Sequence, residues 1–163
     1  MSDARGSRAA PGERLLGLWR QCARLPLGRA LFGWQLGATV PYSGSIGATV
    51  LVLEPGYVKL ALPDRRRVRN HLGSIHAVAL ANLGELASGL AMTTALPGNV
   101  RGIVLGLDAT YTKKARGTLV AEARVRVPDV RGDVDTDVLA EIRDAAGAVV
   151  ATVRVRWRLG LVP

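Results

Sequence analysis

Hydrophobic positions change period several times along the 163-residue chain, and each change marks an element. Between residues 14 and 36, Leu15, Leu18, Trp19, Cys22 and Leu25 recur at helical spacing until Pro26 interrupts them. A second short helix, Leu27 to Leu36, carries Leu31, Phe32 and Trp34. Ile46 to Leu53 is nearly all apolar or small, which predicts a strand buried on both faces. Glu54-Pro55-Gly56 turns the chain into a returning strand, Tyr57 to Leu62. Ile75 to Thr94 then reads as a long helix of a different kind. From Leu72 to Ala95 the one formally charged residue is Glu85, so no polar stripe marks a solvent face. Ala77, Ala79, Ala81, Gly84, Ala87, Gly89 and Ala91 keep this helix thin, and Pro97-Gly98-Asn99 ends it.

Strands alone follow. Gly102 to Thr112 is the first; in the next, Leu119, Ala121, Ala123, Val125 and Val127 share one face and Glu122, Arg124 and Arg126 the other. Val134 to Asp144 alternates too. In the last strand Val149, Ala151, Val153, Val155 and Trp157 face in, and Thr152, Arg154, Arg156 and Arg158 face out. A period of two describes half-buried antiparallel strands. Two strands, one buried helix and four strands predict an α+β fold, a curved antiparallel sheet wrapped around a long central helix, with helices at the N-terminus. The expected layout is a disordered basic tail over 1–13, a helical segment over 14–39 and the sheet-and-helix domain over 40–163.

Composition narrows the function classes. An apolar share of 48% excludes a disordered chain, and the lone Cys22 excludes a disulfide scaffold or a cysteine-rich zinc module. With only His71 and His76 available, no metal site is expected. A net charge of +9 points to an anionic partner. Trp157 lies between Arg156 and Arg158 but faces in, so no aromatic is interleaved on the outward arginine face and nucleic acid is not the expected partner. The run from Leu72 to Ala95 exceeds the ~18 residues that suggest a membrane span, yet a carboxylate near its middle makes it a buried helix instead. Residues 1–14 lack a signal-peptide core, and a cytoplasmic location is expected. Arg14, Arg20, Arg24 and Arg29 accompany the apolar residues of 14–36. That segment is an amphipathic flap on the domain, a hydrophobic lid, or a helix resting on a membrane surface.

Two groups could carry chemistry. A carboxylate on a buried helix, Glu85, is costly when ionised and unpaired, and desolvation raises its pKa towards the range of a general base; its bland alternative is a structural carboxylate paired with an arginine or a backbone end. The stretch Asn70-His71-Leu72-Gly73-Ser74-Ile75-His76 leads into the helix, where unpaired amides stabilise a developing oxyanion. Its bland alternative is capping by Ser74 or Asn70 beside a passive His76. His76 and Glu85 lie nine positions apart, on opposite faces of a regular helix at ~100° per residue. Either one alone is catalytic or two chains build the site together, and the second reading is preferred.

The segment Asn70 to Ala77, with Glu85 further along, resembles the active-site segment of hotdog-fold thioesterases of the phenylacetate-pathway type. Arg65 to His71 and Ala81 to Ala87 resemble more closely an uncharacterised hotdog domain family, and Tyr111 to Gly117 with the strand Thr118 to Val127 is similar to the hotdog strand pair after the helix. The resemblance spans about residues 40–158. It implies a hotdog fold and an acyl-CoA thioesterase in which Glu85 is the nucleophile or general base. Asn70 would hold the thioester or the water, His76 would line the same end, and the Ala77 amide would polarise the carbonyl. It implies a homodimer or dimer of dimers with these groups drawn from different subunits. Coenzyme A enters as part of the substrate, not as a separate cofactor, and its phosphates would suit Arg65, Arg66, Arg67, Lys113 or Lys114. One departure stands out: the resembled enzymes carry His-Gly-Gly where this chain has His76-Ala77-Val78. That favours a second reading, an acyl-binding hotdog without catalysis. A hydratase comes third, since Asp64 and His71 are the one pair that could serve it.

Overall fold

A computed structural model describes residues 10–162. The first element, α1 (Pro11–Cys22), begins three residues before the expected boundary, because Pro11 suits the first helical position and Glu13 accepts from the Ala10 N–H at 3.1 Å. Residues 1–9 of the expected tail over 1–13 lie outside the described residues, and 11–13 are the first turn of α1. After α1 come α2 (Gly28–Thr39), a one-turn helix α3 (Pro41–Gly44), and strands β1 (Thr49–Glu54) and β2 (Tyr57–Leu62). A short 3-10 turn over Arg66–Val68 leads to the central helix α4 (Ala77–Ala95), followed by β3 (Val100–Tyr111), β4 (Leu119–Arg124), β5 (Val134–Arg143) and β6 (Val149–Leu161).

All six strands form one antiparallel sheet in the order β1-β2-β4-β5-β6-β3. Its concave face presents Leu60, Leu62, Leu119, Ala121, Ala140, Ile142, Val153 and Val155, all fully buried against α4. The helix comes unusually close to the sheet at Gly84, where a side-chain carbon would collide with Cβ, Cγ1 and Cγ2 of Val153. This is the curved sheet around a thin helix that the alternating strands predict.

Two expectations need correction. Ile46 to Leu53 is not a strand buried on both faces: β1 is an edge strand with only Val50 and Leu53 buried, and α2 packs across it. Strict alternation in β6 fails at Val150, which is fully buried beside Ala151, because the register shifts where Ile142 pairs with Ala151 and Arg143 with Val149. The N-terminal helices pack on the sheet-and-helix domain, as the flap reading expects. Leu16, Trp19 and Cys22 of α1 and Phe32 of α2 belong to the main core, with Trp19 and Phe32 edge to face at 5.2 Å.

The outer face of the sheet carries its charge in pairs. Arg158 binds Asp135 through two hydrogen bonds of 2.8 and 3.0 Å, and Asp137 lies between Arg154 and Arg156. At the far edge, β3 exposes Ile103, Leu105 and Leu107 together with its unpaired backbone edge. Among the described residues no helix is long and apolar enough to cross a membrane.

Candidate active site

Glu85 lies midway along α4, on the side that faces α1, α2 and α3. It is half-buried, and burial pushes its carboxyl above the ordinary carboxylate value, partly offset by the Ser43 hydroxyl. That hydroxyl donates to Glu85 Oε2 at 3.5 Å, a long bond. Ser43 sits on α3, a turn started by Pro41 and held against α4 by Asn82, whose Nδ2 donates to the Tyr42 carbonyl at 3.3 Å. The Asn82 Oδ1 is buried without a partner.

Two cavities meet at this point. One, of about 370 Å³, is bounded by Glu85, Leu15, Val40, Gly89, Leu90 and Trp157. The other, of about 660 Å³, lies between α2 and β1 and carries Arg29, Arg65 and Arg67. Leu36, Ser43 and Leu86 line both. Arg67 and Arg65 lean over Gly47, whose φ of 67° and lack of a side chain leave room for the Arg67 guanidinium.

The start of α4 is a second, separate place. His76 is exposed and its Nδ1 accepts from the Val78 N–H at 3.1 Å, so the histidine itself caps the helix, in place of the Ser74 or Asn70 of the bland alternative. Asn70 instead organises its own loop: Oδ1 accepts from the Leu72 N–H at 2.9 Å, and from the Ser74 N–H at 3.2 Å. Asn70 and Ala77 border a cleft of about 270 Å³ with Tyr111, Lys113 and Lys114, and Tyr111 donates to the Ala77 carbonyl at 3.1 Å. From Ala77 to Glu85 is eight residues, about 12 Å along the helix axis. Within one chain the structure therefore does not bring Asn70, His76 or Ala77 to Glu85.

The expected phosphate-binding cations divide in the same way. Arg65 and Arg67 line the cavity that adjoins the Glu85 cavity, whereas Lys113 and Lys114 stand at the helix-start cleft, and Lys113 is paired with Asp144 at 2.5 Å. Arg66 is exposed on the 3-10 turn. The Asp64–His71 pair is not formed. Asp64 accepts from Arg69 at 2.6 Å and from the Gly117 N–H at 2.8 Å, and these bonds hold it below the ordinary aspartate range, while His71 is exposed. Sequence reasoning missed Ser43 and the part of Asn82. The signal that could have found Ser43 is Pro41 followed three residues later by Gly44, a proline start and glycine stop for a single turn.

Comparison with known proteins agrees with this architecture. The profile of a family described as a domain of unknown function, DUF4442, matches residues 28–159. A Halobacterium salinarum protein named a candidate esterase is 33% identical over 122 residues, covering 70% of this chain and 81% of that one. A Pseudomonas aeruginosa crystal structure, described as a protein of unknown function and probable thioesterase, is 30% identical and superposes with a TM-score of 0.70, covering 85% of this chain and 97% of the other. A thioesterase from Haemophilus influenzae shares the fold at 17% identity and a TM-score of 0.67, over 78% of this chain and 87% of its own. With its sheet curved around α4 and its profile matched over most of its length, the chain belongs to the DUF4442 family and has the hotdog fold.

Proposed function

We propose that this protein is an acyl-thioester hydrolase, acting on acyl groups carried by coenzyme A, with Glu85 as its general base. One observation carries the reading: a half-buried carboxylate of raised pKa, held among the described residues by a serine hydroxyl alone, stands where an apolar cavity meets a second cavity lined by arginines. Glu85 takes a proton from water as the water oxygen bonds to the thioester carbonyl carbon. The C–S bond then breaks and the proton passes to the departing thiolate. Arg29, Arg65 and Arg67 suit the phosphates of the carrier, and the cavity bounded by Leu15, Val40, Leu90 and Trp157 suits the acyl chain.

The carbonyl must meet hydrogen-bond donors as it gains charge. In this reading they come from the α4 start of a second copy: the Ala77 amide, with Asn70 and His76 beside it. The bare edge of β3 supports such a dimer, since Ile103, Leu105 and Leu107 are exposed along it. Tyr111 ties its end to Ala77. A cytoplasmic setting is part of the same proposal.

The test is thiol release from short, medium, long and aromatic acyl-CoAs, with Glu85→Gln in parallel. Turnover by the native chain that falls at least a thousandfold in the variant, with the fold retained, is the expected result. Full turnover by a folded Glu85→Gln chain would refute the assignment. A second reading, acyl binding without cleavage, is favoured by Val78, which is 55% exposed where a glycine would leave the helix start open. Acyl-CoA bound tightly and recovered intact would establish that reading instead.

A further inference from the structure

The helix α2 is apolar on two sides. Phe32 is fully buried on the inner side, while Leu27, Ala30, Leu31, Trp34 and Ala38 follow one another at helical spacing along an exposed stripe. Exposure of the large residues is high: 86% for Leu27, 72% for Trp34, and 56% for Leu25 just before the helix. Leu27 also sits at a φ of 61°, the left-handed region that favours glycine. A large leucine is thus kept where the backbone conformation disfavours it and where its side chain packs against almost nothing.

The charge around this stripe has one sign. No aspartate or glutamate occurs between Glu13 and Glu54, whereas Arg20, Arg24 and Arg29 are all exposed there. The mouth of the larger cavity opens on the same helix, lined by Ala30 and Trp34 with Arg29, Arg65 and Arg67. Apolar side chains set among arginines, with a tryptophan at their centre, match the chemistry of an interface between acyl chains and anionic headgroups. A second copy fits this face poorly. A symmetric contact would bring together two copies of a patch that has arginines and, between Glu13 and Glu54 of the sequence, no acidic residue to pair them, and the bare edge of β3 already offers such a partner a surface.

We propose that the α1–α2 turn and the outer stripe of α2 form a docking surface for anionic phospholipid membranes. On this surface Leu25, Leu27, Leu31 and Trp34 enter the acyl region, Arg20, Arg24 and Arg29 engage headgroup phosphates, and the arginine-lined cavity opens onto the lipid. The inference does not depend on hydrolysis, because docking is measured without turnover.

The full-length chain is mixed at low salt with vesicles of phosphatidylcholine, with or without a third of phosphatidylglycerol, and bound protein is separated by flotation. Trp34 is its own reporter, because Trp19 and Trp157 are buried at 8% exposure each. The expected result is binding to the anionic vesicles only, a blue shift of tryptophan emission on binding, and release by added salt. Leu27→Gly is expected to melt at a higher temperature yet bind about tenfold more weakly, and Leu31→Gln to weaken binding by a similar factor. A purely structural role for Leu27 would not move stability and binding in opposite directions. Failure of the native chain to bind the anionic vesicles would overturn the proposal. So would unchanged binding by both folded variants, or variants that alter only the oligomeric state.

Discussion

If the cavity beside Glu85 receives the acyl chain, then Gly89 sets how much chain it accepts. Gly89 lies one helical turn beyond Glu85 and lines the cavity of about 370 Å³. A Cβ built there meets no atom nearer than Glu85 Oε1 at 3.9 Å, so a side chain would grow into the cavity without displacing its walls. Gly89→Met fills space otherwise open to about four methylene groups of substrate. At ~0.8 kcal/mol for each methylene buried, the loss is about 3 kcal/mol, or more than a hundredfold in kcat/KM. The substitution also replaces glycine within a helix, which stabilises by about 0.5–1 kcal/mol, so a lost activity is not explained by a lost fold. The assay is kcat/KM for thiol release along a series from acetyl-CoA to palmitoyl-CoA. The longest chains used by the native protein should lose over a hundredfold and the shortest should change by less than about threefold. Equal losses for all chain lengths, or none for any, would refute the placement of the acyl chain.

Four further outcomes follow from the geometry. The folded-state pKa of Glu85 is raised above 4.5, so the native chain binds that proton more tightly than the unfolded one and loses stability as pH climbs from 4.5 through the raised value. The melting temperature of Glu85→Gln minus that of the native chain should therefore be near zero in acid and grow with pH over that window; a difference that shrinks with pH would contradict the burial argument. As a base, Glu85 must be ionised, so native kcat/KM should rise with pH around a value above the ordinary carboxylate range. His76→Asn preserves a helix cap at a cost of under about 1 kcal/mol, so a hundredfold loss of kcat with an unchanged melt would give the histidine a part in turnover, and full activity would leave it a cap alone. Gly84→Ala should destabilise the chain by about 3 kcal/mol through its collision with Val153, measured by denaturant titration; a change under about 1 kcal/mol would mean that α4 can withdraw from the sheet.

The large features were legible because period and burial coincide in them. Alternation in β4, β5 and β6 fixed which residues face α4, and the absence of charge around Glu85 identified a helix wrapped by a sheet. Features set by register were not legible. A bulge at Val150 shifts the inward face by one residue, and no repeat in the side chains announces it. The covering of β1 by α2 is also a tertiary event, since an apolar run reads alike for a central strand and a covered edge. For the candidate site, Glu85 was legible because a charge stands out in an apolar helix. The capping by His76 was not legible because histidine is an unusual helix cap, and Ser43 was missed because its role depends on a one-turn helix brought up from forty residues away.

The contact between Gly84 and Val153 gives the two sides of the cavity beside Glu85 different natures. The residue before Glu85 is where helix and sheet touch without an intervening side chain, so the carboxylate rides on a part of the fold that has nowhere to slide. The opposite side is built from α1, α2 and α3, joined by short turns, one of them holding a strained Leu27. One wall of the cavity is fixed and the other is adjustable. If the proposed hydrolysis holds, differences in acyl preference among relatives should be written in the stretch equivalent to residues 11–44, while the stretch equivalent to 77–95 keeps the geometry of the reaction.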